Sequence, residues 1–198
     1  MIPPPKNIKK LVRQAHEPDR DYGIFKVFRQ RYEELPREIV VYECPDWCNV
    51  IAETVDGDLV FLWQYRFGTD ALSLEIPGGV VDPGEEPIVA AARELLEETG
   101  YECASIEHLT SVEPNPAFQG NHCHTFVARG CRLVAETQFD DEEDLETVLV
   151  KKADLPALLD SGQVTHALVL GPLETYLRRE AEAGRRLVSG QSSTTSPS

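Results

Sequence analysis

The chain has 198 residues and a formal net charge of −15, because 34 Asp and Glu residues outnumber 19 Lys and Arg residues. Apolar residues make up 41% and charged residues 27%, a composition that excludes a disordered or fibrous chain. Since nucleic-acid backbones and anionic membrane surfaces would repel so acidic a protein, we expect neither as a partner.

The predicted elements begin after a polar segment. Residues 1–20 include three consecutive prolines and are predicted to form a mobile lead-in. Aromatic and β-branched residues then predict strands at 23–32, 38–42, 48–54 and 59–65. Asp56-Gly57 between the last two strands is typical of a hairpin. We expect 21–54 to form an N-terminal β extension.

A helix is predicted at 87–99, with Pro87 at its start and Gly100 in the position of a C-terminal cap. Further strands are predicted at 74–76, 106–112, 124–128, 132–135 and 146–151, and further helices at 153–159 and 165–183. Pro172 should kink the last helix or restart it. The Ser/Thr-rich end, 187–198, is predicted to be a disordered tail. The pattern indicates an α+β fold with a mixed sheet, centred on a domain at 55–186.

Three glutamates on the first predicted helix are candidate metal ligands. Glu94, Glu97 and Glu98 lie three and four residues apart, so they share one helix face. Their carboxylates repel one another, and oxygen ligands suit Mg²⁺, Mn²⁺ or Ca²⁺ better than zinc. For these three residues alone, a solvated acidic helix face is the alternative interpretation.

The segment 79–101 resembles the Nudix hydrolase box, G-x5-E-x7-R-E-U-x-E-E-x-G-U, in which U is a bulky apolar residue. Its specified positions are filled by Gly79, Glu85, Arg93, Glu94, Leu95, Glu97, Glu98, Gly100 and Tyr101. Only Tyr101, which is aromatic rather than aliphatic, departs slightly from the pattern. The resemblance implies a Nudix-type α/β/α sandwich that hydrolyses a nucleoside diphosphate linked to another group.

The resemblance also implies roles for individual residues. Glu94, Glu97 and Glu98 would hold divalent metal, expected to be Mg²⁺ with Mn²⁺ as a substitute, and Glu97 and Glu98 are the box's catalytic candidates. The carbonyl of Gly78 would be a further ligand. Glu85 and Arg93 would form a structural ion pair that holds the loop against the helix, and a guanidinium suits a carboxylate in this way.

Two features resemble the ADP-ribose pyrophosphatase subgroup. Pro116 lies fifteen residues beyond Tyr101, like a proline of that subgroup. The acidic run at 140–146 is similar to the loop in which the subgroup keeps its catalytic base. The candidates are Asp141, Glu142 and Glu143, of which Glu142 and Glu143 are favoured. An exposed acidic turn is the alternative interpretation of this run.

Arg66 ends a segment similar to one that contacts the substrate's phosphate or terminal ribose in the same subgroup. A positioned arginine would also help so acidic a chain to recruit phosphate, although a surface arginine at a strand end is the alternative. The base-stacking side chain could come from the aromatics Phe25, Phe28, Tyr32, Tyr42 and Trp47.

The sequence therefore predicts a divalent-metal-dependent hydrolase of ADP-ribose or a related nucleoside diphosphate sugar. The alternatives are a Nudix hydrolase of dinucleoside polyphosphates or capped RNA, and a non-catalytic module that binds ADP-ribose. The N-terminal β extension resembles the element through which the subgroup forms homodimers. An odd number of cysteines, five, favours a cytoplasmic location.

Overall fold

A computed structural model describes residues 2, 8, 10–136 and 145–191, with side chains given up to residue 186. Within these residues there are eleven strands, three helices and a 3₁₀ turn, and no helix is long and apolar enough to cross a lipid bilayer. The elements are β1 (Arg13–Asp21), β2 (Lys26–Tyr32), β3 (Ile39–Glu43), β4 (Trp47–Thr54), β5 (Asp58–Arg66), β6 (Ala71–Glu75), β7 (Gly78–Val80), α1 (Pro87–Thr99), β8 (Tyr101–Glu102), β9 (Ser105–Val112), β10 (Cys123–Leu133), β11 (Leu145–Lys151), the 3₁₀ turn (Lys152–Asp154), α2 (Leu155–Asp160) and α3 (Ala167–Gln191).

The chain divides into two compact units. The first contains Met1–Pro45 and Glu113–Asn121, and its strands form a three-stranded antiparallel sheet in the order β1-β2-β3. Strand β1 occupies part of the segment that the sequence predicted as a lead-in. Its side chains are mostly exposed, but its backbone pairs with β2 from Arg13 to Asp21. The strand forms through backbone hydrogen bonds to β2, and its mostly polar side chains gave no hydrophobic pattern from which to predict it.

The second unit contains Asp46–Val112 and His122–Ser198. Its eight-stranded mixed sheet has the central order β11-β5-β4-β10-β8, with β6, β7 and β9 paired to its strands. Strands β4 and β10 are parallel, and the other pairs are antiparallel. Strand β4 thus lies at the centre of this sheet rather than in the extension predicted at 21–54.

Apolar side chains on both faces of β4 explain the layers. Val50 and Ala52 belong to the buried cluster that includes Leu95 of α1. Ile51, between them, belongs to the cluster that includes Tyr176 of α3. Successive strand residues point to opposite faces, so β4 must be covered on both sides. The predicted α/β/α sandwich and α+β class are confirmed.

Helix α1 has the bounds that the sequence predicted. Pro87 is its first residue, where the missing N–H removes no helical hydrogen bond. Gly100 ends it with φ 72° and donates its N–H to the carbonyl of Leu96. A Cβ at Gly100 would overlap the carbonyl oxygen of Ala135, so glycine is needed here for space as well as conformation.

Helix α3 contains Pro172 and continues through it without the predicted restart, and it extends beyond the predicted end at residue 183. A proline inside a helix leaves the carbonyl four residues earlier without its usual N–H donor. That carbonyl belongs to Leu168, and the side-chain Nδ2 of Asn49 on β4 donates to it at 2.8 Å. The strand therefore supplies the hydrogen bond that the proline removes.

This contact predicts a coupling between Asn49 and Pro172. Asn49→Ala should lower the free energy of unfolding by about 1–2 kcal/mol, because the Leu168 carbonyl loses its donor. In a Pro172→Ala background the same change should cost less than about 0.5 kcal/mol, because the alanine N–H takes over that carbonyl. Urea unfolding of the four proteins measures the coupling, and equal costs in both backgrounds would contradict it.

Candidate active site

Arg93 on α1 donates hydrogen bonds to three carboxylates. Its Nε and Nη2 donate to the two oxygens of Glu85 at 3.1 and 3.0 Å. Its Nη1 donates to Glu94 at 2.9 Å and to Glu97 at 3.0 Å. The hydrogen bonds from Arg93 lower the pKa of Glu85, and those to Glu85 are the largest cause of the raised pKa of Arg93. One guanidinium thus fixes the loop before α1 against the helix face that carries the glutamates.

The third box glutamate lies against the backbone of β7. Glu98 is only 7% exposed, and its Oε2 accepts a hydrogen bond of 2.8 Å from the N–H of Gly78. Strand β7 also pairs with β4, with Gly78 opposite Asn49 and Gly79 opposite Cys48. The start of the box is therefore held between α1 and the central strand.

Both glycines of β7 occupy places where a side chain would collide. A Cβ at Gly78 would overlap the backbone oxygen of Cys48, and a Cβ at Gly79 would overlap the carboxylate of Glu94. The first obstacle is rigid backbone, whereas the second is the end of a flexible side chain. Glycine at 78 is therefore required by the sheet, and glycine at 79 by the position of a candidate metal ligand.

The donor set fits a hard divalent cation in its chemistry. Glu94, Glu97 and Glu98 supply carboxylate oxygens, and Gly78 supplies a nearby backbone carbonyl, which are the ligand types that Mg²⁺ and Mn²⁺ prefer. Among the described residues, however, no three acidic, His or Cys side chains converge closely enough to form a ready metal site. Arg93 contributes to this, since it draws Glu94 and Glu97 towards itself.

A cavity of about 710 Å³ opens beside the box. Gly78 and Gly79 form part of its wall, together with the turn between β5 and β6 and the start of α3. Arg66 and Trp47 also line it. Of the five aromatics named from the sequence, Trp47 belongs to the second unit, and the other four belong to the first. The structure thus brings Arg66 and one candidate stacking side chain to the cavity that borders the box.

Two cavity residues, Glu75 and His166, were not found from the sequence. Arg66 donates from Nε and Nη2 to the two oxygens of Glu75 at 2.8 and 2.7 Å. His166 Nδ1 lies 2.8 Å from Glu75 Oε2. Burial alone would raise the pKa of Glu75, but the hydrogen bonds from Arg66 and His166 lower it well below its usual range. In the sequence, Glu75 could have been noticed as the single acidic residue in the apolar stretch at 74–76. No local pattern marked His166.

The remaining predicted site residues belong to the first unit or lie outside the described residues. Pro116 is an exposed residue of the first unit, in a turn where the N–H groups of Phe118 and Gln119 donate to the carbonyl of Asn115. Asp141, Glu142 and Glu143 lie outside the described residues. Their roles remain predictions from the sequence.

The two glycines of β7 should respond differently to alanine. Gly79→Ala should leave the melting temperature within about 2 °C of wild type but weaken Mn²⁺ binding, because only the Glu94 carboxylate must move. Gly78→Ala should lower stability by about 2 kcal/mol or more, since the new Cβ meets strand backbone. Thermal unfolding and titration calorimetry with Mn²⁺ measure both effects. Equal stability losses in the two variants would contradict this interpretation.

Comparison with known proteins agrees with this geometry. The family described as NUDIX domain matches residues 47–169. ADP-ribose pyrophosphatase from Bacillus subtilis (strain 168) is 32% identical over 146 residues, which are 73% of this chain and 78% of that protein. Methanol dehydrogenase activator from Bacillus methanolicus is 44% identical over 108 residues, which are 54% of this chain and 57% of that protein.

A solved structure supports the fold. The crystal structure of an ADP compounds hydrolase matches with a TM-score of 0.78 at 22% identity, covering 91% of this chain and 100% of that chain. At this identity the likeness concerns the fold alone. Because the family match spans more than half of the residues and includes the whole box, the chain belongs to the Nudix family, as the sequence predicted.

Proposed function

We propose that this protein hydrolyses the pyrophosphate bond of ADP-ribose or a related nucleoside diphosphate sugar. Water would cleave the bond to give a nucleoside monophosphate and a sugar phosphate. The observation that carries the proposal is the cavity, in which Arg66 lies on a wall shared with Gly78 and Gly79. Those two glycines in turn contact or closely approach Glu98 and Glu94. Membership of the family and the relative named ADP-ribose pyrophosphatase support the same substrate class.

The charge of the chain favours a metal-dependent reaction. A pyrophosphate diester is anionic, and it would approach box carboxylates in a protein of net charge −15. Glu94, Glu97, Glu98 and the carbonyl of Gly78 would hold a divalent cation, for which we propose Mg²⁺. When bound, such a cation neutralises phosphate charge and lowers the pKa of a bound water.

The remaining roles belong to this chain's own side chains. Arg66, whose side chain is 44% exposed, would bind the phosphate from the cavity wall. The ion pair between Glu85 and Arg93 would hold the loop before α1 against that helix. Because a metal-bound carboxylate is a poor proton acceptor, Glu142 or Glu143 would take the proton of the attacking water.

The proposal includes a cytoplasmic homodimer. The sequence supports it through the cysteine count and through the resemblance of the N-terminal strands to a dimerisation element. The three-stranded sheet formed by β1, β2 and β3 is the part of the first unit that would serve this purpose. Sedimentation velocity of the intact chain, compared with a variant that begins at Asp46, tests it.

A hydrolysis screen tests the proposed activity. Purified protein with Mg²⁺ is offered ADP-ribose, GDP-mannose, UDP-glucose, NADH, diadenosine polyphosphates and capped RNA, and products are separated by chromatography. We expect ADP-ribose or another nucleoside diphosphate sugar to give the highest kcat/KM, and EDTA to abolish turnover reversibly.

Glu98→Gln should lower kcat by about 10²–10⁴-fold with little change in melting temperature. Undiminished hydrolysis in metal-free buffer would refute the metal-dependent reaction.

The proposed general base has its own test. Glu142→Gln or Glu143→Gln should lower kcat while Mn²⁺ affinity stays unchanged, and hydroxide at high pH should partly restore the rate. Glu146→Gln is the matched control, because Glu146 belongs to the same acidic run but lies in strand β11. Wild-type kcat in both single variants and in the double variant would exclude the run as the source of the base.

A further inference from the structure

We propose that His166 is a second ligand for the pyrophosphate of the substrate, one that binds it in protonated form, and that Glu75 is the positioning residue that holds His166 beside Arg66. This inference rests on the proposed function, because it assumes that a nucleoside diphosphate enters the cavity. The residue that immediately precedes α3 would thereby contact the substrate in addition to the residues of the box.

Glu75 holds both Arg66 and His166 in place. Glu75 ends strand β6, and its side chain is only 5% exposed. Arg66 occupies both carboxylate oxygens, and His166 Nδ1 contacts Oε2 at 2.8 Å. A carboxylate at this low pKa can only accept, so the proton on Nδ1 belongs to the histidine. Protonation of the ring would therefore take place at Nε2, and His166 is one of the residues that line the cavity.

The charge balance of this group shows why protonation matters. Arg66 is the only lysine or arginine among the described residues that line the cavity. Its charge is offset by the carboxylate of Glu75, to which it is bound through two hydrogen bonds. With neutral His166 the three side chains carry no net charge, and with protonated His166 they carry one positive charge. An entering pyrophosphate therefore favours the protonated histidine.

Three further titratable side chains on the described cavity wall, Cys48, Cys123 and Glu75, keep one charge state near neutral pH. Burial raises the pKa of Cys48 on β4 to about 11 and that of Cys123 on β10 to about 12, so both remain thiols. Glu75 stays ionised, because its pKa is lowered. The box carboxylates nearest this wall are Glu94, beside Gly79, and Glu98, which accepts a hydrogen bond from the N–H of Gly78. Histidine is the side chain that ordinarily titrates between pH 5 and 8.

Two consequences follow for substrate binding. Binding should take up protons from solution, since it favours the charged form of His166. Affinity should also fall as pH rises through the neutral range, because deprotonation removes both the positive charge and the Nε2 donor. The phosphates of ADP-ribose are diesters whose charge does not change in this range, so the proton uptake would come from the protein.

The test uses His166→Asn, whose amide can still donate to Glu75 but cannot become charged. Binding of α,β-methylene ADP-ribose, which cannot be hydrolysed at the bridge, is measured by titration calorimetry in two buffers of different ionisation enthalpy. We expect proton uptake by the wild type and almost none by the variant. For ADP-ribose hydrolysis at pH 6.5, KM should rise about tenfold with kcat within about twofold. The difference in KM should shrink by pH 8.5.

His108→Asn is the matched control, because His108 is an exposed histidine on β9 that lies outside the cavity. It should keep wild-type proton uptake and KM. Equal proton uptake or equal KM in His166→Asn and wild type would overturn the inference, even if wild-type hydrolysis is robust. Calorimetry involves no turnover, so a wild type that binds the analogue with proton uptake but hydrolyses no substrate would refute only the proposed activity.

Discussion

The absence of side chains at two successive positions of β7 is the constraint on which the site depends. Gly78 can approach the backbone of β4 so closely only because it has no Cβ, and Gly79 likewise makes room for the carboxylate of Glu94. The same approach places the N–H of Gly78 on Glu98. Two glycines thus connect the central strand, the box helix and the wall of the cavity, and a small change there would move all three together.

The negative charges of the box carboxylates are only partly balanced by Arg93, and the remaining negative charge suits the site to a cation. Arg93 carries one positive charge and donates to Glu85, Glu94 and Glu97. These hydrogen bonds offset the repulsion between neighbouring carboxylates on one helix face, which would otherwise destabilise the helix. It leaves an excess of negative charge that a divalent cation would offset, and the cation would have to compete with Arg93 for two of its ligands. With a cation bound, metal affinity and fold stability would be coupled through this one guanidinium.

The sequence predicted what depends on local spacing. The box gave helix α1 its bounds and placed Glu94 and Glu98 on one face, because both follow from helix geometry and end signals. It could not predict contacts between distant segments. Asn49 and Leu168 are 119 positions apart, and Glu75 and His166 are 91 apart. Only the packing of α3 on the sheet brings these pairs together, so no local pattern marks them.

The position of α3 matters because its start forms one wall of the cavity. Asn49 holds that end, and further along the helix Glu180 accepts hydrogen bonds of 2.6 Å from Arg129 and 2.7 Å from Lys152. Burial alone would raise the pKa of Glu180, yet these two cations lower it, so the attraction exceeds the cost of desolvation. Both cations also contact Glu53 of β4. The central strand therefore anchors the helix at two places, and the cavity wall that carries His166 is fixed by contacts outside the cavity.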